Sequence, residues 1–225
     1  SLDASRPTVG CSNSNGAINF VTDLIVFRQD AGWMKGQFDD VEVWCDQLSS
    51  NRAWEALRYA VSYGEQGMMS HQDDEVRRAE RGTHRLSERR QTLMHERYAA
   101  ILPSSGIFWG VWLENMYDFA TTRNSYGIDN SGLMDFDHRA AKDAYYLYRA
   151  MWNRRSGTLH IAERRWTERR DTLQNIKVYC STGTPTLIVE GDTVAVREVA
   201  QCQYVADSVV VHQRATVRAV DATGG

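Results

Sequence analysis

Residues 59–72 read YAVSYGEQGMMSHQ, and the reading of this stretch decides the fold. An apolar run, Tyr59-Ala60-Val61, stops abruptly at Ser62-Tyr63-Gly64-Glu65, and Gly67, two methionines and Ser70-His71-Gln72 follow. A continuous apolar run bounded by turn residues is the pattern of a strand buried on both faces, as in a parallel sheet covered by helices. Such a strand hands polar groups to whatever site lies at its end. Glu65 is therefore a candidate catalytic carboxylate. The plainer reading makes it an exposed loop residue after a turn.

Outward from this strand, other short apolar runs alternate with amphipathic stretches. PTVGCS (7–12), TDLIVF (22–27) and GIFWGVWLENMYDF (106–119) read as strands. Between and after them, FDDVEVWCDQLSSN (38–51), RLSERRQTLMHERYAAIL (85–102) and HRAAKDAYYLYRAMWN (138–153) read as helices. The first carries an apolar stripe of Phe38, Val41, Trp44, Cys45 and Leu48 at helical spacing; the second carries Leu86, Leu93, Met94, Tyr98 and Ile101. Strands and helices in alternation predict a parallel α/β layer.

Near residue 153 the chain changes character. Alternating patterns such as Thr186-Leu187-Ile188-Val189 and Thr216-Val217-Arg218-Ala219-Val220 recur, with turn signals at residues 181–185 and at Gly191-Asp192. Short strands at this spacing predict an antiparallel sandwich, giving an α/β segment over 1–152 and an all-β segment over 153–225. Four strands do not close a parallel barrel, which takes eight. Either the first segment pairs with another copy of itself or, the favoured expectation, it belongs with a half lying upstream of Ser1.

A chain of 225 residues can bury a proper core. Its net charge of −3 gives no electrostatic case for nucleic acid or an anionic membrane as partner. No apolar run approaches the length of a spanning helix, and the N-terminus is not signal-like, which fits a cytoplasmic location for a chain whose true start is expected upstream. The cysteines at 11, 45, 180 and 202 form no Cys-x-x-Cys pair, so no zinc site is expected. Cys180 and Cys202 are either a bridge or, more plainly, free thiols.

The motifs LDASRPTVGCSN, TDLIVF…GW, VSYG…SHQ, LMHERYAAI, FWGVWLENMYDFAT, YGIDNSGLMDFDHRAAKDAYYLYRAMW and HIAERRWTERR follow one another in an order that resembles glycoside hydrolase family 2, the β-galactosidase family. The resemblance runs over essentially the whole chain and is most specific over 127–166. It implies that 1–152 are strands five to eight of a (β/α)8 TIM barrel and that 153–225 are the immunoglobulin-like β-sandwich that follows. It also implies hydrolysis of a β-galactoside with retention, by two carboxylates about 5–5.5 Å apart. The acid/base belongs to strand four, which this chain does not contain. No cofactor is evident from the residues; the resemblance leaves room for a Mg²⁺ or Na⁺ beside the pocket and for a homo-oligomer.

Three strand ends depart from the family pattern. The nucleophile motif, Ser-Glu-Tyr-Gly in the family, reads Ser62-Tyr63-Gly64-Glu65. A one-residue displacement in a strand redirects the side chain to the other face. Where the family has Asn-x-Tyr-x-Gly-Trp, this chain has Arg28 and Asp30 before Gly32-Trp33. Glu114 stands where a sugar-stacking Trp is usual, ahead of Asn115-Met116-Tyr117-Asp118. Uronide-specific members carry a Lys before the glycine at 132; Ser131 stands there. The departures open an alternative, a non-catalytic carbohydrate-binding or assembly relative with a disabled pocket.

Each candidate also has a plain reading. Glu114 is a second site carboxylate or an ion-pair partner of Arg28. Asn115 and Asp118 orient the pocket or cap a turn. Trp109 and Trp112 are a sugar platform or, more plainly, core. His71 contacts substrate or a metal or, more plainly, is a hydrogen-bonded structural residue, and His95 is structural. AERRWTERR (162–170) reads as a seam with Trp166 packed and its charges solvated.

Overall fold

The structure is a computed structural model that describes residues 5–12, 23–29, 46, 59–69, 88–123, 127–153, 155–166, 172–212 and 214–222. The helix expected over 38–51, apart from a helical Asp46, lies outside the described residues, as do Asp30, His71 and the side chain of Arg28. The chain divides into two compact units, Ser1–Gln66 with Leu93–Gly132 and Gly67–Thr92 with Leu133–Gly225.

In the first unit, β1 (Val9–Ser12), β2 (Leu24–Gln29), β3 (Tyr59–Tyr63) and β4 (Phe108–Leu113) form one parallel sheet in that order. Each of the four runs read as strands is a strand. In β3 the consecutive residues Ala60, Val61, Ser62 and Tyr63 are all buried, so both faces of this strand are covered. Fully burying one such Val or Ile stabilises by about 1.5–3 kcal/mol. The Tyr63 ring packs on Tyr98, with centroids 4.6 Å apart, and lies 5.5 Å from His95.

Helix α1 (Glu88–Ile101) forms where expected, but its buried face is not the stripe expected for it. Glu88, Gln91, Thr92, His95, Tyr98 and Ala99 are buried, whereas Leu93 is 50% exposed. The period is helical, yet the inward face is largely polar. Trp109 and Trp112 of β4 are likewise exposed rather than core, their rings meeting edge to face at 5.3 Å. They stand on an edge strand with no described neighbour beyond it.

The second unit holds α2 (Asp143–Trp152), which buries Ala144, Leu147, Tyr148 and Met151 at helical spacing. Its strands make two antiparallel sheets. One runs β11 (Arg197–Ala200), β12 (Gln203–Val210), β8 (Leu173–Cys180), β7 (Leu159–Ile161); the other runs β10 (Asp192–Val194), β9 (Thr186–Val189), β13 (Val217–Val220). Ile176 and Val178 of β8, Leu187 and Val189 of β9, and Tyr204 and Ala206 of β12 share one apolar core. The β9–β10 turn is Glu190-Gly191, both at positive φ (53° and 100°), the geometry of a type I′ hairpin that favours glycine. Among the described residues no closed barrel is present and no helix is long and apolar enough to cross a membrane.

Candidate active site

Parallel pairing brings the carboxyl ends of β2, β3 and β4 to one edge of the sheet. Gln29 pairs with Tyr63, and Tyr63 with Leu113. In α/β layers ligands bind outside this edge, because the loops that leave it converge there. Arg28 is the register partner of Ser62, one residue short of the edge.

The strands stay together past their ends. Glu114 N donates to Tyr63 O at 2.8 Å, and Ser62 Oγ donates to Glu114 Oε1 at 2.7 Å. A Cβ at Gly64 would lie 1.8 Å from the Glu114 carbonyl oxygen, so only glycine fits this approach. Glu65 follows directly and is buried, only 6% exposed, which overturns its reading as an exposed loop carboxylate.

Two loops close beside it. The Glu114–Asn115 peptide is cis. Asn115 bonds Ser131 twice, N to O at 3.2 Å and Nδ2 to Oγ at 3.0 Å. Asp118 is buried and its Oδ1 accepts from Gly132 N at 2.9 Å, against a glycine whose Cβ would meet Asp118 N at 2.1 Å. Between them β5 (Phe119–Ala120) pairs with β6 (Ile128–Asp129). Asp129 accepts from Ser131 N through Oδ1 and from Gln66 Nε2 through Oδ2, at 2.9 and 3.3 Å. Asn115 and Asp118 thus pin loops.

The structure therefore brings Glu65, Glu114, Asn115 and Asp118 to one edge. Sequence reading missed Ser62, Gln66, Asp129 and Ser131 as their partners. For the Mg²⁺ or Na⁺ that the resemblance allowed, the described residues offer no cluster of three or more His, Cys, Asp or Glu side chains, and no chemical step is routed through a metal ion.

A second polar cluster lies in the other unit. Asp143 Oδ1 meets His160 Nε2 at 2.7 Å and Oδ2 accepts from Glu163 N at 2.7 Å. Glu88 Oε1 accepts from Asp143 N at 2.7 Å and from Arg165 Nη2, and Arg165 Nη1 donates to Ala141 O at 2.9 Å. Arg165 is thus held, partly buried, against the buried Glu88 rather than solvated. Burial would raise Asp143, but bonds from His160 and Glu163 hold it below its ordinary value; burial pushes His160 down despite Asp143. Burial and then Asp143 push Glu88 up, against Arg165. Lys142, fully buried, donates from Nζ to Gly67 O at 2.6 Å. These groups bond one another and the backbone.

No protein-family model matches the chain. A β-glucuronidase of Bacteroides fragilis is 28% identical over 194 residues, which are 84% of this chain and 28% of that protein. A crystal structure of a provisionally assigned β-galactosidase from Bacteroides fragilis superposes with a TM-score of 0.81 at 24% identity, over 96% of this chain and 35% of that one. A Parabacteroides merdae β-glucuronidase gives 0.73 at 19% identity, over 99% and 30%. The chain thus spans about a third or less of the proteins it matches. Together with the order of motifs, these likenesses bear out the resemblance to the family 2 glycoside hydrolases.

Proposed function

We propose that the chain is part of a β-galactosidase-like retaining glycoside hydrolase. Residues 1–152 are strands five to eight of its (β/α)8 barrel, and 153–225 are the immunoglobulin-like sandwich. The observation that carries this reading is the carboxyl edge of the parallel sheet, where Glu65 is buried one residue beyond the Gly64–Glu114 approach. Glu65 is the nucleophile: it attacks the anomeric carbon and forms a glycosyl-enzyme that water then hydrolyses. The acid that protonates the leaving oxygen comes from the upstream half of the same polypeptide. A galactoside is favoured over a glucuronide because Ser131, bonded to Asn115, stands where uronide-specific members carry a lysine.

A second reading rests on Tyr63. This residue follows Ser62 where the family carries its nucleophile, and it is committed to core, 1% exposed and packed on Tyr98. On that reading the pocket binds carbohydrate without turning it over.

The test is an intact mass before and after exposure to 2-deoxy-2-fluoro-galactosyl fluoride, whose activated leaving group departs without an acid. An adduct on the peptide that holds Glu65, absent in Glu65→Gln, is the expected outcome. An unlabelled chain in a sample that binds galactosides by calorimetry favours the second reading. An adduct only with the glucuronyl analogue reverses the substrate assignment.

A further inference from the structure

We propose that Cys180 and Cys202 form a redox modification site that closes to an internal disulfide when a low-molecular-weight disulfide enters the cleft beside Cys202. Cys180 ends β8 and Cys202 sits in the turn that opens β12. The β8–β12 register pairs Tyr179 with Gln203, and one step further Cys180 faces Cys202. Cys180 N donates to Cys202 O at 3.0 Å. The covalent bonds on either side of that hydrogen bond cap the Cα separation at about 7 Å, and the bend at its two ends brings it inside the roughly 4.4–6.8 Å that a disulfide spans. Both cysteines are free thiols.

Access is uneven. Cys180 is buried, with Sγ 3.3 Å from Thr182 Oγ1; Cys202 is half-buried, with Sγ 3.5 Å from Ala150 O. Thr182 and Cys202 line the same cleft of about 320 Å³, with Arg155, Asn153 and Gln201 at its walls. Arg155 suits an anionic disulfide such as oxidised glutathione, whose carboxylates it can meet.

The Cys202 thiolate attacks one sulfur of the small disulfide, which breaks its S–S bond, forms a mixed disulfide and releases one thiolate. Cys180 then attacks Cys202 Sγ, its proton going to water, and expels the second small thiol. The protein is oxidised by two electrons and the small disulfide is reduced to two thiols. Burial, and next Cys180 and Glu198, push the Cys202 thiol above its ordinary value, so its thiolate is scarce near neutrality and the exchange speeds up as pH rises.

The full chain is incubated with oxidised glutathione at pH 7 and pH 9, free thiols are blocked by alkylation, and tryptic peptides are read by mass. The expected result is one linked pair, residues 178–197 joined to 198–214, two hydrogens lighter than the separate peptides, formed faster at pH 9. The same oxidation in urea spreads linkage over Cys11 and Cys45 as well. Cys180→Ser then leaves Cys202 as a stable mixed disulfide. A native chain in which Cys202 carries glutathione while Cys180 remains alkylatable overturns the proposal. So does native linkage scattered as it is in urea.

Discussion

Ser62 and Glu114 lie 52 residues apart and meet at the carboxyl edge of the parallel sheet, where the Ser62 hydroxyl donates to Glu114 Oε1 at 2.7 Å. The bond ties the end of β3 to the end of β4 through side chains, as Glu114 N to Tyr63 O ties them through the backbone. It holds one carboxylate in a fixed place next to the strand end from which Glu65 departs.

Removing the hydroxyl tests what this tie is worth. Ser62→Ala leaves the partly buried Glu114 oxygen without that donor and is expected to cost about 1 kcal/mol, the net value of an ordinary hydrogen bond. Glu114→Gln keeps an acceptor at the same place and should cost less. Urea denaturation midpoints at constant slope measure both; a Ser62→Ala midpoint equal to that of the unsubstituted chain would show the bond to be idle.

The approach at Gly64 is a stronger constraint. A methyl group there lies 1.8 Å from backbone, which cannot swing away as a side-chain tip can. Gly64→Ala is expected to destabilise by about 3 kcal/mol through forced separation of the two strand ends. Gly157→Ala is the comparison, since its Cβ meets only the Thr182 methyl at 3.1 Å. Equal midpoints for the two variants would refute the close approach.

The buried pair of Asp143 and His160 sets a pH dependence. His160 is held below its ordinary value near 6.5, so its folded form prefers the neutral ring; that stability is complete above this value and is lost as pH falls through it. Asp143 is held below its ordinary 3.8, so its contribution is lost only in stronger acid. Glu88, raised above 4.5, acts the other way, favouring the fold as it protonates. As pH falls below the ordinary His value the His160 limb has a slope of at most about 1.4 kcal/mol per pH unit, opposed by what Glu88 returns as it protonates. His160→Asn should flatten this limb of the stability profile; an unchanged slope in the variant would assign it elsewhere.

How far the sequence could be read follows from what each inference needed. The strands of the parallel sheet were legible because burial on both faces writes a continuous apolar run, as in Ala60-Val61. The inner face of α1 was not, because Gln91, Thr92 and His95 are buried by their packing and bonding, which a hydrophobic period cannot register. Trp109 and Trp112 look like core by composition, and only sheet order reveals that they stand on an edge strand. Glu65 could be placed near a strand end, but its burial is a property of the fold, where the next residue back, Gly64, meets a segment some 50 residues away. Ser62, Gln66 and Asp129 carried no local signal for the same reason.

Arg165 shows the same limit and yields the sharpest energetic test. In sequence it is one charge among several in an arginine-rich run. In the fold its guanidinium reaches Glu88, whose side chain is 8% exposed, while Glu88 also accepts the Asp143 amide at the start of α2. Removing the cation alone strands a buried carboxylate beside Asp143, so Arg165→Ala is expected to cost about 3 kcal/mol. Glu88→Gln alone keeps the amide acceptor and relieves the crowding of two carboxylates, so it should cost less. In the double variant no unpaired buried charge remains, and its loss should fall well short of the two single losses added together. A thermodynamic cycle from urea unfolding at pH 7 reads this coupling directly. Additive losses would show that Arg165 and Glu88 act on the fold independently, with the guanidinium stabilising only through its bond to the Ala141 carbonyl.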